Sequence, residues 1–222
     1  MATEKLTKPQ LVWLVIYNIT LFGIHLLIFV DLIQEKFKKQ SFNFKNHVEL
    51  FTIAVLLQFF DVAHGAIQLT ATHAKTAFIQ TAGRLIVLIL VHNNFEIWTD
   101  PATFALLLVY ATIELIRYPY YLFKILNIEV LTFTWLRYNA WLVLYPIGFL
   151  CEAVSIYRVF VSFYKTKEYL IKSPLGVNFN IDLSVIAGFG IFLTFPFIIL
   201  TLVSHMWAQR QVQNRKLAKK IR

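Results

Sequence analysis

Three side chains able to exchange protons recur at seven-residue intervals in the stretch WLRYNAWLVLYPIGFLCEAVSIYR, residues 135–158: Tyr138, Tyr145 and Glu152. Seven residues turn an α-helix through about 700° and raise it by about 10.5 Å, so on one continuous helix all three share a face. Trp, Leu, Val, Ile, Phe and Ala surround Tyr145 and Glu152, with no Lys or Arg placed deep in the run to neutralise the acid. A carboxyl left unpaired in a low-dielectric medium escapes the charging cost by remaining the neutral acid. A neutral acid near a phenol is a proton-transfer pair, and an ionisable group inside a membrane span is a functional candidate by default. Tyr138, near the start of the run, reads equally well as an interfacial aromatic anchor.

Polar stripes recur elsewhere in apolar surroundings. Asp61, His64 and Gln68 stand at i, i+3 and i+7; Gln80 and Arg84 at i and i+4; Glu114, Arg117 and Tyr121 at i, i+3 and i+7, with Tyr118 beside Arg117. These spacings place each set on one helix face. Stripes on four successive helices call for a shared polar interior. Ion pairing that locks helices together is the structural alternative for Asp61/His64 and for Glu114/Arg117. A structural or capping role is the simpler reading of Gln80/Arg84.

The elements that must position these groups are apolar runs of membrane-spanning length, which takes about 20 residues per span. Six are expected, at 11–33, 48–71, 77–91, 103–126, 136–163 and 181–207. Asp100-Pro101 supplies an N-cap and first-turn pair for the fourth. Thr72 to Thr76 makes a tight connection between the second and third, and all connections are short. The expected fold class is therefore all-α, a single six-helix transmembrane bundle over 1–222 with a basic tail at 208–222. No strand alternation and no internal repeat stand out.

Composition agrees. Of 222 residues, 58% are in the AVILMFWYC set and 15% are charged, and the mean hydropathy is +0.63. A soluble domain is nearer half apolar and a quarter charged. The net charge of +9 lies in short segments between runs and in the tail rather than in a basic domain, which argues against a nucleic-acid partner and for a membrane-flanking role. A single cysteine, Cys151, excludes an intramolecular disulfide and the common cysteine-based metal sites. The first run follows a polar MATEKLTKPQ and lacks a cleavage motif, so it is read as a retained span.

Six spans put both termini on one side. That side carries Lys5, Lys8, Lys75, Lys124 and the tail cations Arg210, Arg215, Lys216, Lys219, Lys220 and Arg222. The other carries Lys36, Lys38, Lys39, Lys45, Lys165, Lys167 and Lys172. The excess favours cytosolic termini. The ending Lys219-Lys220-Ile221-Arg222 resembles the dilysine retrieval signal of endoplasmic-reticulum membrane proteins, which gives the same orientation.

The motif Tyr145-Pro146-Ile147-Gly148 followed by Glu152, with Trp135-Leu136-Arg137-Tyr138 before it, resembles the signature of the 3-hydroxyacyl-CoA dehydratases of very-long-chain fatty acid elongation, also called protein tyrosine phosphatase-like. Glu114-Leu115-Ile116-Arg117-Tyr118 is similar to that family's E-x-x-R-Y segment. Asp61-Val62-Ala63-His64-Gly65, the pair Gln80 and Arg84, and His205-Met206 with Gln209-Arg210 extend the likeness over most of the chain. The stretch after His64 lacks the Cys and Pro that many members have. A cysteine phosphatase needs an arginine six positions after its thiolate; here Tyr157 occupies that place and Arg158 comes one residue late, in an apolar run rather than a loop.

The resemblance implies dehydration of a (3R)-3-hydroxyacyl-CoA to a trans-2-enoyl-CoA, with Tyr145 and Glu152 as the catalytic pair and no metal or redox cofactor required. Either could take the α-proton. Arg117, Glu114, Arg84, Asp61, His64 and Tyr138 are the supporting candidates, with Arg117 and Arg84 available to polarise a phenol or the thioester oxygen. The acyl tail would lie between helices and the CoA phosphates near Lys75, Lys124 or the tail on the cytosolic face. Other elongation enzymes in the same membrane are the implied partners. The competing reading is a non-catalytic membrane scaffold or a proton-coupled transporter. Sparse glycine and the lack of repeated halves count against the transporter.

Overall fold

The computed structural model describes residues 6–38, 41–166, 170–172 and 180–221. The chain forms helices α1 (Lys8–Lys38), α2 (Lys45–Ala66), α3 (Ala74–His92), α4 (Pro101–Ile125), α5 (Leu131–Asn139), α6 (Trp141–Thr166) and α7 (Leu183–Ile221). A 3-10 turn at Phe95–Ile97 links α3 to α4. Between α6 and α7, strands β1 (Leu170–Lys172) and β2 (Asn180–Asp182) pair antiparallel with Leu170 opposite Asp182. This ribbon was not expected from the sequence, because three residues per strand are too few to display an alternating pattern. The architecture remains all-α.

Among the described residues, five helices are long and apolar enough to cross a membrane: Lys8–Phe37, Lys45–Ala66, Ala74–His92, Pro101–Ile125 and Trp141–Thr166. Their outward faces carry Val12, Ile16, Leu27, Ile53, Ile86, Val143 and Leu150, all well exposed. Their inward faces bury Asn18, His25, Gln58, Asp61, Arg84, Glu114 and Arg117. Apolar side chains outside and polar ones inside is the arrangement that lipid, rather than water, stabilises. The chain is a multi-pass membrane protein. The sixth expected span falls on α7, whose side chains are described only in part. Lys5, Lys39, Lys167 and Arg222 lie outside the described residues, as do the side chains of Lys38, Lys172, Lys216, Lys219 and Lys220.

Local chemistry explains where the helices stop. Asp100 caps α4: its carboxylate accepts from the Ala102 N–H at 2.8 Å while Pro101 occupies the first turn. Asp100 also pairs with Arg158, tying the start of α4 to α6. Asn127, at φ 57°, ends α4 in the left-handed conformation that asparagine tolerates. At the end of α2, a β-carbon on Gly65 would meet the Thr72 carbonyl oxygen at 2.5 Å, so only glycine admits the tight return to α3.

Two stripe readings are corrected by these boundaries. The apolar run at 48–71 outlasts its helix: α2 ends at Ala66, and Gln68 sits exposed in the following turn at φ 58°. Gln68 therefore does not share a helix face with Asp61 and His64. Likewise α5 ends at Asn139 and α6 begins at Trp141, so Tyr138 stands on a different helix from Tyr145 and Glu152. The Trp141 indole N–H donates to the Tyr138 carbonyl oxygen at 3.0 Å across the break.

The helices pack α1 against α4 and α2, α2 against α3, α4 against α6, and α6 against α3 and α7. Phe51, Ala54, Leu88, Leu106, Leu107 and Ala111, all fully buried, fill the centre between α2, α3 and α4. That core fixes α3 and α4 as the wall facing α6.

Candidate active site

On α6, Tyr145, Gly148 and Glu152 follow one another at i, i+3 and i+7 and line the same cavity, of about 190 Å³. Its other walls come from Gln80, Arg84 and Val87 of α3, Val109 and Tyr110 of α4, and Thr194, Ile198 and Leu202 of α7. A β-carbon at Gly148 would lie 3.4 Å from Val109 Cγ1, so the glycine brings α6 close to α4. The walls are mainly aliphatic and the polar groups few, as in sites that hold an apolar ligand by a few oriented contacts.

Each member of the pair accepts a hydrogen bond from a neighbouring helix. Gln80 Nε2 donates to the Tyr145 hydroxyl oxygen at 3.1 Å. The Tyr110 hydroxyl donates to Glu152 Oε1 at 2.6 Å. Glu152 makes no ion pair among the described residues. Arg84 faces the cavity as well, and its guanidinium carbon sits 5.0 Å from the centre of the Tyr110 ring, a cation–π contact. A second, small void that also touches Tyr145 is lined by Arg137, Ile116 and Trp141.

Behind the α3 and α4 wall lies a charge network. Glu114, wholly buried, pairs with Arg84 and, through Oε2 at 2.9 Å, with Arg117 Nε. Arg117 Nη2 lies 2.6 Å from Asp61 Oδ2 and donates to the Tyr118 hydroxyl at 2.7 Å. The Tyr17 hydroxyl donates to Asp61 Oδ1 at 2.9 Å, and Arg84 Nη1 donates to Gln58 Oε1 at 3.3 Å. Two carboxylates and two guanidiniums make this cluster neutral overall, which lets it persist in a low-dielectric interior.

The structure thus separates the expected residues into groups. Tyr145, Glu152, Gln80 and Arg84 meet at the cavity. Glu114, Arg117 and Asp61 form the supporting network and do not line it. His64 points away toward α1, where its Nε2 accepts from the Trp13 indole N–H at 2.9 Å. Asp61 is held by Arg117 rather than by His64. The Tyr138 hydroxyl meets that of Tyr120 at 3.0 Å, also outside the cavity.

Residues that the sequence did not single out are Tyr110, Gln58 and Tyr17. Tyr110 had a legible signal: it lies four residues before Glu114, on the same stripe. Gln58 precedes Asp61 by three residues in the same way. Tyr17, beside Asn18 in a stretch without a charged residue, carried none.

Residues 55–216 match the family model described as "Protein tyrosine phosphatase-like protein, PTPLA". The chain is 29% identical over 220 residues to the "Very-long-chain (3R)-3-hydroxyacyl-CoA dehydratase" of Danio rerio, covering 94% of this chain and 59% of that protein. It is 29% identical over 230 residues to "Very-long-chain (3R)-3-hydroxyacyl-CoA dehydratase 3" of Mus musculus, covering 98% and 61%. Against the "Very-long-chain (3R)-3-hydroxyacyl-CoA dehydratase" of Gallus gallus it is 30% identical over 211 residues, covering 90% and 58%. The chain therefore spans about three-fifths of the length of these curated relatives. No solved structure matches. With the family model covering most of its length and including every residue that lines the cavity, the chain belongs to the protein tyrosine phosphatase-like (PTPLA) family.

Proposed function

We propose that this protein dehydrates (3R)-3-hydroxyacyl-CoA to trans-2-enoyl-CoA, as the names of its relatives indicate for them. One observation carries the reading: Tyr145 and Glu152 open into one largely aliphatic cavity, each hydrogen-bonded from an adjacent helix. Elimination of water breaks the Cα–H and Cβ–O bonds and forms a Cα=Cβ bond. Tyr145, reacting as the phenolate, takes the α-proton; Glu152 delivers its proton to the departing hydroxyl, which leaves as water; and transfer of the phenol proton to the Glu152 carboxylate restores both groups for the next turnover. The Gln80 amide, donating to the Tyr145 oxygen, stabilises the phenolate that acts as the base. Arg84, on the same wall, is placed to polarise the thioester carbonyl.

Membrane placement suits the substrate. The acyl tail is as apolar as the lipid and lies against the aliphatic wall, while the CoA phosphates stay at the cytosolic face beside Lys75 and Lys124. Endoplasmic-reticulum residence, cytosolic termini and association with the other enzymes of the elongation cycle complete the proposal. The lone Cys151 lies within helix α6 with no arginine six residues on, which argues against a phosphatase.

The test is an assay of the purified protein in nanodiscs with a 3-hydroxyacyl-CoA, following enoyl-CoA formation. Wild type should turn over, and Tyr145→Phe and Glu152→Gln should keep the wild-type melting temperature but lose turnover by at least about 100-fold. A folded, inactive wild type, or full activity in either variant, would overturn it.

A further inference from the structure

Tyr110 is buried and its hydroxyl hydrogen must be donated to something. Among the described residues, the acceptor within hydrogen-bond distance is Glu152 Oε1, at 2.6 Å. The direction of this bond therefore follows from burial. An Oε1 that receives the phenol hydrogen cannot also carry a proton into the same contact. Among the described residues, the groups facing Glu152 are Tyr110 from α4, Arg84 from α3 and Cys151 beside it on α6. Arg84 is engaged by Glu114, and among the described residues no cation forms an ion pair with the Glu152 carboxyl.

We propose that Tyr110 is a positioning residue for the acid: by donating to Oε1 it keeps the Glu152 proton on Oε2, the oxygen left free to serve the cavity. This deepens the dehydratase reading and rests on it. The phenol also locks the carboxyl plane, because Tyr110 is itself held beneath the Arg84 guanidinium. Without the Tyr110 hydroxyl, the proton is shared between two equivalent oxygens and the side chain rotates freely. Substrate binding survives such a change, since Phe would keep the aromatic wall. The proton-transfer step does not.

Two measurements on the full chain in nanodiscs test this. In steady state, Tyr110→Phe should lower kcat roughly 10- to 100-fold, as expected for loss of one hydrogen bond to the reacting acid, while KM changes by less than about twofold. In the infrared, the difference between wild type and Glu152→Gln should contain the carbonyl stretch of a hydrogen-bonded neutral carboxylic acid. Tyr110→Phe should move that band to higher wavenumber. Unchanged kcat in a folded Tyr110→Phe overturns the proposal. So does a wild-type band at the position of a free acid, or no acid band at all, and these readings stand even if Tyr110→Phe fails to fold. An inactive wild type, or a fully active Glu152→Gln, would instead remove the dehydratase reading, and the infrared band would still decide whether Tyr110 donates to a neutral Glu152 carboxyl.

Discussion

Arg117 reaches back from α4 to Asp61 on α2, Nη2 to Oδ2 at 2.6 Å, while its Nε holds Glu114 on its own helix. One guanidinium thereby joins two helices through two buried acids. Removing one charge leaves the remainder unbalanced in a medium that cannot solvate it, at about 3–5 kcal/mol. Asp61→Asn should therefore lower the detergent melting temperature markedly, and Arg117→Gln likewise. The double variant should be less destabilised than the sum, because neither lost charge then leaves an orphan. Strict additivity in the melts would mean that the pair does not interact.

Gln80 contributes by a different route. Among the described residues, its amide donates only to the Tyr145 hydroxyl, at 3.1 Å. Gln80→Leu conserves approximate volume and removes the donor. Turnover should fall by roughly tenfold, the effect of about 1.4 kcal/mol, with the melting temperature little altered. A kinetic comparison with wild type at saturating substrate decides it, and an undiminished kcat would assign Gln80 to packing alone.

Gly148 controls how near α6 comes to α4. Alanine there would sit 3.4 Å from Val109 Cγ1, a close but tolerable contact. A leucine must displace Val109 or project into the cavity, and overpacking of this kind costs about 1–3 kcal/mol. Gly148→Ala should fold and retain part of its activity, whereas Gly148→Leu should lose kcat/KM far more than it loses stability. Equal activity in the two variants would place the substrate elsewhere.

The two ends of α3 lie about 28 Å apart at 1.5 Å per residue for its 19 residues, close to the thickness of a hydrocarbon core. Gln68 and Asn93, both exposed, stand just outside those ends. In a Cys151→Ala background, Gln68→Cys and Asn93→Cys should react with a membrane-impermeant maleimide from opposite faces of sealed vesicles. Labelling of both from the same face would show that α3 does not cross.

Residue order alone established the class of the molecule: long apolar runs cannot be satisfied in water, and within a single segment only a helix satisfies its own backbone in lipid. It also determined the α4 cap at Asp100-Pro101 and the shared face of Tyr145 and Glu152, because both depend on neighbours within two turns of one helix. Periodicity could not see that the helix breaks between Asn139 and Trp141, since the apolar run continues through the break. It also could not see that α2 stops at Ala66, where Gly65 allows a close return that depends on Thr72. Which polar residues meet was decided only by tertiary packing. Asp61 finds Arg117 rather than its helical neighbour His64, and Glu152 finds Tyr110, 42 positions away. Such pairings depend on how α2, α4 and α6 are rotated against one another, and side-chain packing across the bundle sets those rotations.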